Sequence, residues 1–169
     1  YGVSGATYYP TCWTRNTNYT STTYPYISSS YSFNSPGSLY FYATTTYYSY
    51  AISPQFDAAI DLSTLQVTFQ ALKNSTTTTY GRLDVGIMSD PTDLTSFTVI
   101  RSITSTDYPA TLTWYEFEVP LNTYTGSGNY IAFRSPNEGT SYVYLDNVVV
   151  NTIPNCIKPI QVIVSNLGQ

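Results

Sequence analysis

Histidine is absent from this chain of 169 residues, cysteine occurs twice and methionine once. Without histidine the usual general base, the usual activator of a serine or cysteine nucleophile and a common zinc ligand are all missing. Two cysteines cannot complete a structural zinc site by themselves. Charge is also scarce: charged residues make up 9% of the sequence, 10 acidic against 6 basic, for a net charge of -4. No basic stripe is available to follow a phosphate backbone, so nucleic acid is not an expected partner. No apolar run approaches the roughly 20 residues a spanning helix needs, so direct membrane insertion is not expected either.

What the chain does have is tyrosine, 19 residues of it, with abundant threonine and serine. Aromatic and β-branched side chains pack well on a pleated surface, so the composition favours strands. The length suits one all-β domain. Little lysine and glutamate beside much serine, threonine and tyrosine fits a secreted or cell-surface protein better than a cytosolic enzyme. The chain opens at Tyr1-Gly2-Val3 without a methionine, which reads as a processed or excised piece. Cys12 and Cys156 stand near opposite ends. In a secreted chain they most simply form one disulfide, worth about 5 kcal/mol in the chain-entropy model; two buried free thiols are the alternative.

Residues 1 to 37, broken by Pro10, Pro25 and Pro36, read as short strands and long loops. The pattern then sharpens. Residues 39 to 43 form an expected strand, as do residues 48 to 52, stopped by Pro54. Leu65, Val67, Phe69 and Ala71 alternate with Gln66, Thr68 and Gln70, which means a strand with one buried face. Leu83, Val85 and Ile87 repeat the pattern, with Arg82 and Asp84 on the other side. Residues 97 to 103 follow. Tyr115, Phe117 and Val119 then point one way while Trp114, Glu116 and Glu118 point the other. Ile131 and Phe133 continue the series, and residues 142 to 150 close it. About nine short strands without helical periodicity predict a sandwich of two antiparallel sheets. The length favours a jelly roll over an immunoglobulin fold, which runs near 100 residues.

Several segments carry a family resemblance in their order and spacing. Pro10-Thr11-Cys12-Trp13-Thr14, Ser38-Leu39-Tyr40-Phe41, Ala51-Ile52-Ser53-Pro54, Asp61-Leu62-Ser63-Thr64-Leu65, Val85-Gly86-Ile87-Met88-Ser89-Asp90-Pro91 and Leu145-Asp146-Asn147-Val148 occur in turn. Together they resemble the cleaved-adhesin (MAM-like) jelly-roll modules of Bacteroidetes secreted and surface proteins. The resemblance implies one jelly-roll domain over residues 1–154. It implies a non-enzymatic, monomeric module for cell adhesion or carbohydrate binding within a multidomain protein, its partner a glycan or a host or cell-surface protein. A structural spacer or protein-binding module that presents neighbouring domains is the alternative. Residues 155–169, with Ile157-Lys158-Pro159-Ile160-Gln161-Val162-Ile163-Val164, look like a linker and the opening strand of a following fibronectin-III-like domain.

Related jelly rolls often hold a structural calcium ion near the closing strand, and Asp146 matches that acidic position, with Asn147 placed to assist. Calcium takes 6 to 8 oxygen ligands. Family members often carry an acidic residue in the first strand, whereas residues 1 to 11 here contain none. The other role for Asp146 is to hydrogen-bond a neighbouring loop.

A glycosidase would need two carboxyl groups at a defined separation. Glu116 and Glu118 lie two apart on one strand face, but an exposed strand face explains them equally and no activated group can be assembled around them. No enzyme activity is expected. For sugar binding, Tyr47, Tyr48 and Tyr50, together with the Tyr24-Pro25-Tyr26 turn, offer rings, and Arg82 and Arg134 offer donors. Against this, tyrosine is simply a good strand residue with a polar tip.

Overall fold

Two-residue alternation sorts the strand side chains into an inner and an outer set, and two sheets close over the inner set. The computed structural model describes residues 9–34, 36–74 and 81–154; Cys156, and with it the expected disulfide to Cys12 and the expected linker over 155–169, lies outside the described residues. The strands are β1 (Thr14–Thr17), β2 (Tyr26–Ser28), β3 (Ser38–Ala43), β4 (Ser49–Ile52), β5 (Leu65–Lys73), β6 (Leu83–Met88), β7 (Thr98–Ile103), β8 (Trp114–Pro120), β9 (Tyr130–Ser135) and β10 (Ser141–Thr152). One sheet runs β1-β4-β9-β6-β7 and the other β2-β3-β10-β5-β8. Every pairing is antiparallel. This is the expected β-sandwich. The two short strands β1 and β2 lie in the stretch whose prolines and polar residues blur the alternation.

The core is built from the inner set. Phe41, Phe69, Phe133, Ile87 and Leu145 are fully or almost fully buried. The Phe69 ring joins the sheets, with Phe117 at 5.6 Å on its own sheet and Phe133 edge-on at 5.3 Å on the other. Trp13, from the Pro10–Trp13 turn, stacks against Phe133 at 6.4 Å. Along β8 the expected alternation holds: Phe117 and Val119 are buried while Glu116 and Glu118 are exposed.

The first sheet also carries a small apolar cluster on its outer face. Tyr50, Ile52, Met88 and Ala132 pack there under Leu94 and Phe97 from the β6–β7 connection. Phe97 can lie over the sheet because residue 86 is glycine. A Cβ at Gly86 would sit 2.8 Å from the Phe97 ring and 2.1 Å from the Thr98 carbonyl oxygen. Phe97 is thus a cover over the sheet rather than a strand residue. Among the described residues no helix is long and apolar enough to cross a membrane.

Candidate functional site

The outer face of β2-β3-β10-β5-β8 is paved with tyrosine. On β3, Leu39 and Phe41 point inward, so Tyr40 and Tyr42 point outward. On β10, Val143 and Leu145 point inward, so Tyr142 and Tyr144 point outward. The antiparallel register sets Tyr142 beside Tyr42 and Tyr144 beside Tyr40, while Tyr26 of β2 lies beside Tyr40 from the other side. Tyr40 and Tyr144 stack at 4.5 Å with an interplanar angle of 16°. Tyr24, just before β2, contacts Tyr26, Tyr40 and Tyr42. Loop residues extend the field: Tyr19 meets Tyr47 at 4.6 Å, and Tyr31 meets Tyr144 at 5.0 Å. Nine tyrosines thus form one continuous cluster, in which Tyr144 is buried and the other eight are partly exposed.

Packing phenols together disfavours their ionisation. Burial, then the neighbouring phenols, push Tyr24 up to about 12. Burial and Tyr144 raise Tyr40, and burial raises Tyr26, Tyr42 and Tyr144 as well. These five phenols therefore stay neutral and keep their hydroxyl hydrogens through ordinary pH.

Asp146 ends the tyrosine field. Its Oδ2 accepts the backbone N–H groups of Phe33 at 2.9 Å and Asn34 at 3.0 Å, and its Oδ1 accepts that of Asn147 at 2.7 Å. The Asn147 side-chain oxygen accepts from Asn34 Nδ2 at 3.2 Å. Residues 31–34 are thereby strapped over the sheet, with the Tyr31 carbonyl also accepting from Ser38 Oγ. A carboxylate faced by three N–H donors already sits in a favourable field and has little left for a cation. Among the described residues no group of three or more carboxylate or cysteine side chains converges. In this arrangement Asp146 and Asn147 anchor a loop, the other role open to Asp146.

The remaining expected ligand residues divide between the faces. Tyr47 joins the tyrosine field, and so do Tyr24 and Tyr26. Tyr48, Tyr50, Arg82 and Arg134 lie on the first sheet's outer side, around a residue that sequence reasoning did not single out. Asp84 is fully buried there. Its Oδ1 accepts Arg82 Nε at 2.7 Å and Ser102 Oγ at 2.7 Å, and its Oδ2 accepts Arg134 Nε at 3.0 Å. Arg82 also pairs with Glu138. The Arg134 guanidinium lies between Phe97, 5.0 Å from the ring centre, and Tyr50, 5.9 Å away. Both arginines spend donors on Asp84 and so help hold the sheet together. The outward tyrosines of β3 and β10 were also missed. Their signal was present in the i, i+2 repeats Tyr40/Tyr42 and Tyr142/Tyr144, but only the register makes them neighbours.

No protein-family model matches the chain, and no curated protein matches it. Solved structures do match. The K1 cleaved adhesin domain of Lys-gingipain from Porphyromonas gingivalis superposes with a TM-score of 0.66 at 20% identity, covering 90% of this chain and 98% of that one. TmCBM61, solved in complex with β-1,4-galactotriose, gives a TM-score of 0.52 at 10% identity, covering 85% of this chain and 90% of that one. The family 30 carbohydrate-binding module of a Clostridium thermocellum cellulosomal cellulase gives 0.52 at 11% identity, with 82% and 87% covered. The chain shares the jelly-roll β-sandwich of adhesin domains and carbohydrate-binding modules, which is the fold that the resemblance implied.

Proposed function

We propose that this chain is a non-enzymatic, secreted or surface-borne adhesion module that holds a glycan against the outer face of β2-β3-β10-β5-β8. The observation that carries the reading is the field of nine tyrosines on that face. A sugar ring has apolar C–H faces and a polar rim. A phenol offers the same pair of surfaces, with hydroxyls that donate and accept. Charged side chains are absent from β2, β3 and the part of β10 that precedes Asp146, so the field discriminates by shape and hydrogen bonding. Rings stacked on one another lose little further freedom when a ligand arrives. The shared fold with carbohydrate-binding modules supports the same reading. A protein partner is the second reading, because tyrosine is also enriched at protein interfaces.

A glycan array probed with the parent module and with the Tyr42→Ala/Tyr142→Ala variant tests this. These two residues are cross-strand partners whose rings lie 5.3 Å apart and are partly exposed. Selective binding by the parent is expected, weakened about ten-fold or more in the variant, and unchanged by EDTA. A parent that binds no glycan, or a variant that binds as the parent does, sinks the reading and moves weight to a protein partner.

A further inference from the structure

Where β8 begins, the same face carries aromatic surface that neither the core nor the tyrosine field uses. Trp114 is the first residue of β8 and is partly exposed, and Phe33, on the strap, is 46% exposed. Their rings meet edge to face with centroids 6.0 Å apart. This exposure is constructed. The strap that carries Phe33 is pinned through two consecutive N–H groups to the Asp146 carboxylate. Asn147, which holds Asn34, has φ 52, and Leu112, just before Trp114, has φ 56 with its N–H bonded to the Lys73 carbonyl at 2.9 Å. Left-handed backbone is unfavourable for residues with a Cβ and persists only where surrounding contacts hold it. The molecule therefore fixes two exposed rings at one corner rather than folding them inward.

A row of hydrogen-bonding groups leads away from the corner. Glu116 and Glu118 follow Trp114 on the outward side of β8, and both are exposed. Gln70 of β5 lies opposite Glu116, and its Nε2 donates to Glu116 Oε2 at 3.1 Å. Among the described residues neither glutamate has an ion-pair partner. Gln70 is buried, so its carboxamide orients the exposed Glu116 carboxylate, whose remaining lone pairs can accept from a hydroxyl. An ammonium or guanidinium offers donors only and would be better served by a carboxylate free of Gln70. Two unpaired carboxylates repel anions approaching the same row.

We infer that the Phe33–Trp114 corner is an anchoring subsite for one ring of a neutral glycan, with Glu116, oriented by Gln70, taking a hydroxyl and Glu116 and Glu118 excluding acidic sugars. This rests on the glycan-binding reading and adds to it a second contact and a selectivity. Asp146 acts here as a positioning residue, through the strap.

Affinities of the parent, Phe33→Ala, Trp114→Ala, Glu116→Gln/Glu118→Gln and Tyr42→Ala/Tyr142→Ala for β-1,4-galactotriose, xylotriose and trigalacturonic acid test the inference, with the glycan array supplying any other neutral ligand. Trp114 fluorescence, read in a Trp13→Phe background, reports the corner directly. The expected result is a loss of about ten-fold or more for neutral ligands in each ring variant, equivalent to about 1.4 kcal/mol. A Trp114 signal that tracks binding is expected as well, with new binding of trigalacturonic acid in the double glutamine variant. Phe33 is exposed enough that its variant should melt like the parent, so it carries the test if Trp114→Ala unfolds. Neutral binding that the tyrosine variant lowers and both ring variants leave intact overturns the corner and keeps the glycan reading. Silence of the parent toward every glycan removes both. Salt-sensitive binding of a lysine-rich peptide that Phe33→Ala abolishes, with no glycan bound, assigns the corner to a cationic protein partner and overturns the inference.

Discussion

At the scale of single residues, Asp84 decides more than any tyrosine. A buried carboxylate is costly unless it is paired and its lone pairs are filled, and here Arg82, Arg134 and Ser102 fill them. Removing the carboxylate leaves two guanidinium groups facing each other across the gap. Asp84→Ala should therefore destabilise the fold by about 3–5 kcal/mol, lowering the melting temperature by an amount on the order of 10 °C. Thermal unfolding of the variant beside Ser102→Ala, which removes one neutral donor only, checks this; equal melting of the two would refute the ion-pair account. The sequence shows Asp84 on the outward side of its strand, but it cannot show that Arg134 lies opposite. That pairing spans 50 residues and depends on β6 and β9 being neighbours in the sheet.

At the scale of elements, β10 joins the two halves of the site. Its first part holds Tyr142 and Tyr144, its middle holds the strap through Asp146, and the register shifts between Asp146 and Val149. The strand was legible from its alternation, as were β5, β6 and β8, because each has one face in the core. The strap was not. Its anchor runs from residue 33 to residue 146, and a polar loop of serine and asparagine gives no periodic signal. The family resemblance draws Asp146 toward a cation, while the geometry puts backbone N–H groups at both of its oxygens. Asp146→Ala should cost about 2–3 kcal/mol, the range for hydrogen bonds to a charged group whose loss leaves N–H donors unfilled. Amide exchange at Phe33 and Asn34 should rise in the variant, and EDTA should leave the parent's melting curve unmoved. A parent that melts lower in EDTA would return Asp146 to the metal.

At the scale of the whole molecule, the two outer faces have been closed in opposite ways. One is finished with an internal ion cluster beneath Phe97, and the other with neutral phenols packed on one another. The second solution has an alkaline limit. A phenol whose folded pKa is raised holds its proton more tightly in the folded chain than in the unfolded one. Stability from the field is therefore fully present below the ordinary phenol value near 10, and it is lost as pH rises through the folded value of Tyr24, about 12. Tyr26, Tyr40, Tyr42 and Tyr144 shift in the same direction and add to the loss. The melting temperature should fall steeply across that window. Tyr24→Phe keeps the ring and removes one titrating group, so its decline should be shallower than the parent's. A parent whose melting temperature holds across that window would show that these phenols are individually solvated. The continuous neutral surface on which the binding site depends would then not exist.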